Sequence, residues 1–203
     1  MAGGFLIALE GIDGAGKTTQ ARLLAEGLQA RGYEVVLTRE PSDGPAGRKL
    51  RGYLQGAGPR LSPLEELNLF MADRREHVAE VIRPALARGA IVVTDRYYYS
   101  SMAYQGARGL DSAWILAENE AFAPAPDLVF ILVLVPALGL GRLKDRGASR
   151  QMTEARDYLQ GVADIYQSLS GEHLYRLDAG LPVAELQALI LQATLEALGR
   201  RDQ

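Results

Sequence analysis

The sequence of 203 residues predicts an α/β fold of three layers, a five-stranded parallel sheet flanked by helices, with a short lid. Three observations predict it. Short apolar runs with few charges alternate with longer stretches of helical spacing, and that alternation specifies parallel strands joined by crossover helices. Gly32 and Gly89 stand just past two of the helical stretches, where a left-handed residue closes a helix. The chain is 48% hydrophobic, yet none of its apolar runs approaches the ~18 residues of a membrane span, so the strands belong in a core.

In chain order, the strands are "FLIAL" (5–9), "EVVLT" (34–38), "AIVVTD" (90–95), "LVFILV" (128–133) and a weaker "LYRLD" (174–178). Near-continuous apolarity marks strands buried on both faces. Helical spacing covers 17–31, about 44–56, 63–88, 111–121, 136–146, 153–169 and 182–199. No repeat, low-complexity tract or long linker interrupts them, so residues 1–203 read as one domain, with the lid at about 141–153.

Composition narrows the setting. Without cysteine there are no disulfides and no thiolate metal site, and a reducing cytoplasm is the expected location. The opening "AGGFLIALEG" is too short and too uncharged at its start for a signal sequence. A net charge of −3 gives no general pull toward nucleic acid. Neither nucleic acid nor membrane is therefore expected as a partner. Of 22 basic residues only Lys17, Lys49 and Lys144 are lysine, which makes a lysine inside a motif conspicuous.

Lys17 is inside one. Gly11-Ile12-Asp13-Gly14-Ala15-Gly16-Lys17-Thr18 fits G-x-x-x-x-G-K-[ST] between an expected strand and an expected helix. Glycines let successive backbone N–H groups point inward around an anion, and a helix N-terminus adds partial positive charge. Residues Gly11 to Thr19 are the expected ATP-binding set. Lys17 reaches the β- and γ-phosphates, and Thr18 takes a magnesium ligand position.

A phosphate loop alone serves GTPases, motor ATPases and small-molecule kinases. The three lysines leave no Asn-Lys-x-Asp for guanine, and the third strand ends in "TDRYYYSSMAYQG" rather than in an Asp-Glu pair. Several kinds of acceptor remain open at this point. A nucleoside hydroxyl would need a base beside it, and a regulatory subunit with a dead site would bind ATP without turnover; the intact Lys17, Thr18, Asp95 and Arg96 argue against the latter.

The strings "EGIDGAGKTTQ", "TREP", "NLFMADRREH", "DRYYYSSMAYQG" and "PDLVFIL", in this order and spacing, resemble the thymidylate kinase family over nearly the whole chain. The resemblance is weakest after about residue 145. It implies the P-loop kinase fold, ATP and dTMP as substrates, dTDP and ADP as products, Mg²⁺ as the cofactor, and a homodimer packed through helices such as 63–88.

It also assigns residues. Asp13 resembles the loop carboxylate that orients the acceptor. Glu40, at the end of the second strand, serves the acceptor's sugar or holds an arginine. Phe70 and Arg74, one turn apart with His77 next on the same face, resemble a platform that stacks on thymine and bonds its carbonyl. Asp95 holds the metal directly or through water, and Arg96 grips the acceptor phosphate as a planar fork, with Arg51 a second candidate. Ser101, Tyr104 and Gln105 resemble residues facing base and deoxyribose; the family often carries Asn where Ser101 stands. Of the three tyrosines from Tyr97 to Tyr99, only Tyr97 is expected at the site.

Charge on the transferring oxygens calls for at least one further arginine. Some thymidylate kinases carry a basic residue just after the loop acid; here that position is Gly14. "GRLKDRGASRQMTEARD" therefore resembles an arginine-bearing lid. It supplies Arg150 as first choice, Arg146 as second, and Arg142, although Ser149 and Met152 stand where acids are usual.

Overall fold

The computed structural model describes residues 3–144 and 152–201. Five strands form one parallel sheet in the order β2-β3-β1-β4-β5: β1 Phe5–Gly11, β2 Val35–Arg39, β3 Ile91–Asp95, β4 Leu128–Val133 and β5 Leu174–Asp178. β1 is buried along its whole length, and β3 and β4 nearly so, whereas the edge strands β2 and β5 are only half-buried. This explains the weaker apolar signal of the fifth strand: an edge strand has less to bury.

The sheet has helices on both faces. α1 (Lys17–Gln29) turns Ala21, Leu24, Ala25 and Leu28 inward at helical spacing. It closes as expected at Gly32, with Tyr33 N–H bonded to the Leu28 carbonyl and Gly32 N–H to Gln29. α2 spans Pro45–Leu54 and α3 spans Pro63–His77, the latter opened by a Ser62–Glu65 capping box. The single helix expected over 63–88 is three pieces: α3, a π-helical turn at Val78–Ile82 and α4 at Arg83–Ala87. Pro84 has no N–H to donate, and the chain widens by one residue ahead of it, with Arg83 N–H reaching back to Val78.

α5 (Tyr98–Gly106) lies where no helix was expected, and α6 (Ser112–Glu120), α7 (Pro136–Lys144), α8 (Met152–Ser168) and α9 (Val183–Arg201) follow. α5 is buried almost all round, from Tyr98 to Ala103 and again at Gln105, so it shows no amphipathic period. Its own N-cap residue, Tyr97, makes no side-chain cap bond.

Register aligns the carboxyl ends that matter. Asp95 pairs with Leu9 on one side and with Arg39 on the other. The chain leaves β1 toward β2 and leaves β3 in the opposite direction toward β4, so a crevice opens beyond these strand ends.

Candidate active site

The loop after β1 fills that crevice. Gly11, Gly14 and Gly16 take positive φ values of 137°, 83° and 92°, turning successive amides to one side. At Gly14 the backbone excludes a side chain twice over: an added Cβ would stand 2.7 Å from the Gly139 carbonyl of α7. A basic residue in the loop at this position is thus sterically barred as α7 now sits. Ile12 and Ala15 are buried in the core, and Thr18 and Thr19 lie in the first turn of α1.

Lys17 is 6% exposed and its ammonium bonds the Ile12 carbonyl at 2.8 Å. Burial pulls its pKa down to about 8, with Arg96 adding to the effect and Asp13 and Asp95 opposing it. The Thr18 hydroxyl donates to Asp95 Oδ2 at 2.5 Å, while Asp95 Oδ1 is buried without a partner. An orphaned carboxylate oxygen beside a threonine hydroxyl fits a divalent cation. Among the described residues no three His, Asp or Glu side chains converge. Such a cation would therefore take its remaining ligands from phosphate and water, the habit of magnesium.

Arg96 follows β3 at φ 74°, the one non-glycine residue with positive φ among the described residues. Its Nη2 donates to Asp13 Oδ1 at 2.5 Å and to the Tyr104 hydroxyl at 3.4 Å, and its Nη1 donates to the Ser100 hydroxyl at 2.9 Å. The guanidinium carbon lies 5.0 Å from the Tyr104 ring centre. Burial opposes charge on Asp13, but Arg96 and Lys17 hold its carboxyl below the usual range.

A second cluster lies under the α3 face. Arg74, 1% exposed, donates from Nε and Nη2 to Glu40 Oε2 at 2.9 and 2.6 Å and from Nη1 to Ser101 and Asn119 at 3.2 and 2.6 Å. Four of its five N–H groups are thereby used, leaving one on Nη2. Glu40 holds an arginine, as one of its two expected roles required, and also takes His77 Nδ1 at 3.2 Å. Burial works against its charge, but Arg74 and His77 keep its carboxyl below the usual range. Tyr97 is fully buried, with the Arg74 guanidinium 5.7 Å from its ring centre. It reaches the site as a plate behind Arg74 rather than as a lining residue. Tyr98 belongs to the core, and the Tyr99 hydroxyl bonds His173 at 2.8 Å.

Phe70 stands half-buried one turn before Arg74. Gln105 donates to Glu66 at 2.9 Å, and its own oxygen is buried without a partner. Arg51 bonds the Pro41 and Ser42 carbonyls at 2.8 and 2.5 Å and Asp43 at 3.1 Å. Arg142 donates to the Gly14 and Ala179 carbonyls at 3.2 and 3.3 Å, tying α7 to the loop. Arg146 and Arg150 lie outside the described residues.

Sequence reading missed four residues of this site. Glu10 and Ser100 stand inside the quoted strings but were given no role there, and Asn119 and Tyr166 lie outside those strings. Nothing in the sequence links Asn119 to Arg74 or Tyr166 to Glu10.

The thymidylate kinase family model matches residues 9–190. A thymidylate kinase of Xanthomonas campestris pv. campestris (strain B100) is 46% identical over 200 residues, covering 97% of this chain and 87% of the relative. One from Xanthomonas oryzae pv. oryzae (strain PXO99A) has the same identity and coverage. A probable thymidylate kinase of Pyrococcus horikoshii is 46% identical over 171 residues, 82% of this chain and 83% of its own length.

Proposed function

Because the chain belongs to the thymidylate kinase family, we propose that its two clusters are the two halves of one phosphoryl-transfer site. The reaction is ATP plus dTMP giving ADP and dTDP. An oxygen of the acceptor phosphate attacks the γ-phosphorus, and the bond from that phosphorus to the β-phosphate oxygen breaks. The acceptor oxygen is already ionised, so no general base is needed, and catalysis rests on positioning and neutralisation of charge.

In this reading the amides of Gly11 to Thr19 cradle the ATP phosphates and Lys17 leaves the Ile12 carbonyl for the β- and γ-oxygens. Arg96 holds the acceptor phosphate, and Asp13 fixes the angle of that guanidinium. Arg74, set by Glu40, offers its remaining N–H to the thymine carbonyl, with Phe70 against the ring. Ser101 and Gln105 face the base, Tyr104 packs on the deoxyribose, and Arg51 is a reserve contact to the phosphate. Arg150 or Arg146 closes from the lid at about 141–153 of a single domain. Thr18 and Asp95 would hold Mg²⁺, which neutralises phosphate charge when bound. Without lid closure, water would compete for the phosphoryl group.

One observation carries the reading: Arg96 meets Asp13 of the phosphate loop at 2.5 Å while Thr18 of the same loop meets Asp95 at 2.5 Å. The loop that grips a nucleoside triphosphate is thus flanked by a guanidinium fork on one side and an underused carboxylate on the other. No other part of the described residues combines these. A homodimer is part of the proposal; α3 and the turn after it expose Leu64, Asn68, Ala72, Arg75 and Ala79 in a stripe, and light scattering at working concentration tests it. A cytoplasmic location, expected from the cysteine-free composition, also belongs to the proposal. The deciding assay is ADP release from ATP and Mg²⁺ with dTMP, dUMP, dCMP and thymidine side by side. dTMP should be the best acceptor, and turnover of thymidine but not of dTMP overturns the assignment.

A further inference from the structure

A bulky arginine rarely takes a left-handed backbone, so something must hold Arg96 there. We propose that Glu10, the buried residue just before the phosphate loop, is a positioning residue that sets the pose of Arg96 through the Ser100 hydroxyl. The inference rests on the reading of Arg96 as the arginine of the acceptor phosphate.

Glu10 has no exposed surface and accepts four hydrogen bonds. Its Oε1 takes Tyr97 N–H at 2.8 Å and Ser100 N–H at 3.2 Å; its Oε2 takes the hydroxyls of Ser100 at 2.6 Å and Tyr166 at 2.8 Å. The two amides are those of the N-cap and third residues of α5. Glu10 therefore does for this helix what a local Ser or Asp does for others, from 87 and 90 residues upstream. This long-range cap fixes the chain just after Arg96, where it leaves β3 and turns into α5.

The hydroxyl of Ser100 carries the effect to the guanidinium. Arginine can only donate, so Ser100 Oγ must accept from Arg96 Nη1, and its proton is free to turn to Glu10. Arg96 is thus pinned at two corners: Nη2 by Asp13 of the loop, and Nη1 by Glu10 at one remove. Tyr166 adds a tie to α8, the helix that follows the lid segment. Burial pushes the Glu10 carboxyl up, against its hydrogen bonds and against Arg96.

A plain cap and a positioning residue predict different kinetics. Ser100→Ala keeps the amide bond to Glu10, and hence the cap, but breaks the path to Arg96. The experiment measures steady-state kinetics of the full chain with dTMP and ATP varied in turn. It compares Glu10→Gln, Ser100→Ala, Ser100→Thr, the Glu10→Gln/Ser100→Ala double variant and Arg96→Ala. Ser100→Ala and Glu10→Gln should each lower kcat/KM for dTMP about tenfold, with KM for ATP within about twofold of the parent. The double variant should fall little further, because both changes cut one path, and Ser100→Thr should restore most of the activity. Ser100→Ala with unchanged kcat/KM for dTMP, while Arg96→Ala is severely impaired, overturns this inference alone. An active Arg96→Ala overturns the site reading and this inference with it. If Glu10→Gln does not fold, the Ser100 pair decides.

Discussion

The phosphate loop and the Arg74 cluster stand at one end of the same sheet and are built on opposite principles. The loop is mostly main chain, and its side chains are unfinished: Lys17 rests on the Ile12 carbonyl and Asp95 Oδ1 has no partner. The Arg74 cluster is side chain throughout and nearly complete, with Glu40, Ser101 and Asn119 bonded to one guanidinium and His77 to Glu40. In the proposed reading, one region is completed by a charged ligand. The other turns its polar groups on itself and leaves a single donor on Arg74 Nη2. Cutting charge from the first should cost turnover, and cutting it from the second should cost stability.

The largest expected effect is on the second region. Arg74→Met leaves the Glu40 carboxylate buried with only His77 for company, and breaking a buried pair in this way costs about 3–5 kcal/mol. Denaturant unfolding measures it. Glu40→Leu on top of Arg74→Met should recover much of the loss, since the carboxylate left without its guanidinium is then gone too. A double variant as unstable as Arg74→Met would mean that shape, not charge, holds this cluster.

Next comes the loop. Lys17→Met should reduce kcat by at least about 10²–10³-fold, the scale for losing a preorganised charge. The ligand-free protein should nevertheless melt at higher temperature at pH 7, because a buried ammonium is replaced by an apolar chain. A lower melting temperature would remove the claim that the loop holds its lysine at a cost. Gly14→Ala follows, at about 1–3 kcal/mol of strain from its positive φ. It should also disturb ATP binding by pushing α7 from the loop, visible as a raised KM for ATP.

The smallest effect is a pH dependence. The folded chain lowers the pKa of Glu40, so just below about 4.5 the unfolded chain binds more protons. Stability then rises with pH through that window, is fully present above it, and is lost as pH falls. Glu40→Gln should flatten this acid limb. An identical acid limb in the two proteins would place the lost stability on other carboxylates.

Much of the fold was legible because it is written in contiguous runs. The strands at 128–133 and 174–178 were read with their observed ends, and the others within a few residues, since parallel strands in a core need unbroken apolarity. The phosphate loop was legible for a related reason: all its atoms come from eight consecutive residues. α5 was not, because it is buried on every side and its cap comes from Glu10. The break at Val78–Ile82 was hidden too. Pro84 was in view, but whether a helix kinks, ends or widens before a proline depends on what packs around it.

By itself, then, the sequence determined the strand–loop–helix cradle, the strand order's raw material and the residue types an acceptor pocket needs. Only the tertiary structure decided which partners those residues take: that Glu40 faces Arg74, that Arg51 turns to the 41–43 loop, that Asn119 and Ser101 share one guanidinium, and that Glu10 stands behind Arg96. The physical reason is range. A backbone nest is set by local φ and ψ, which neighbours in the chain dictate. A buried hydrogen bond is set by which distant segments the core forces together, and no local pattern encodes that choice.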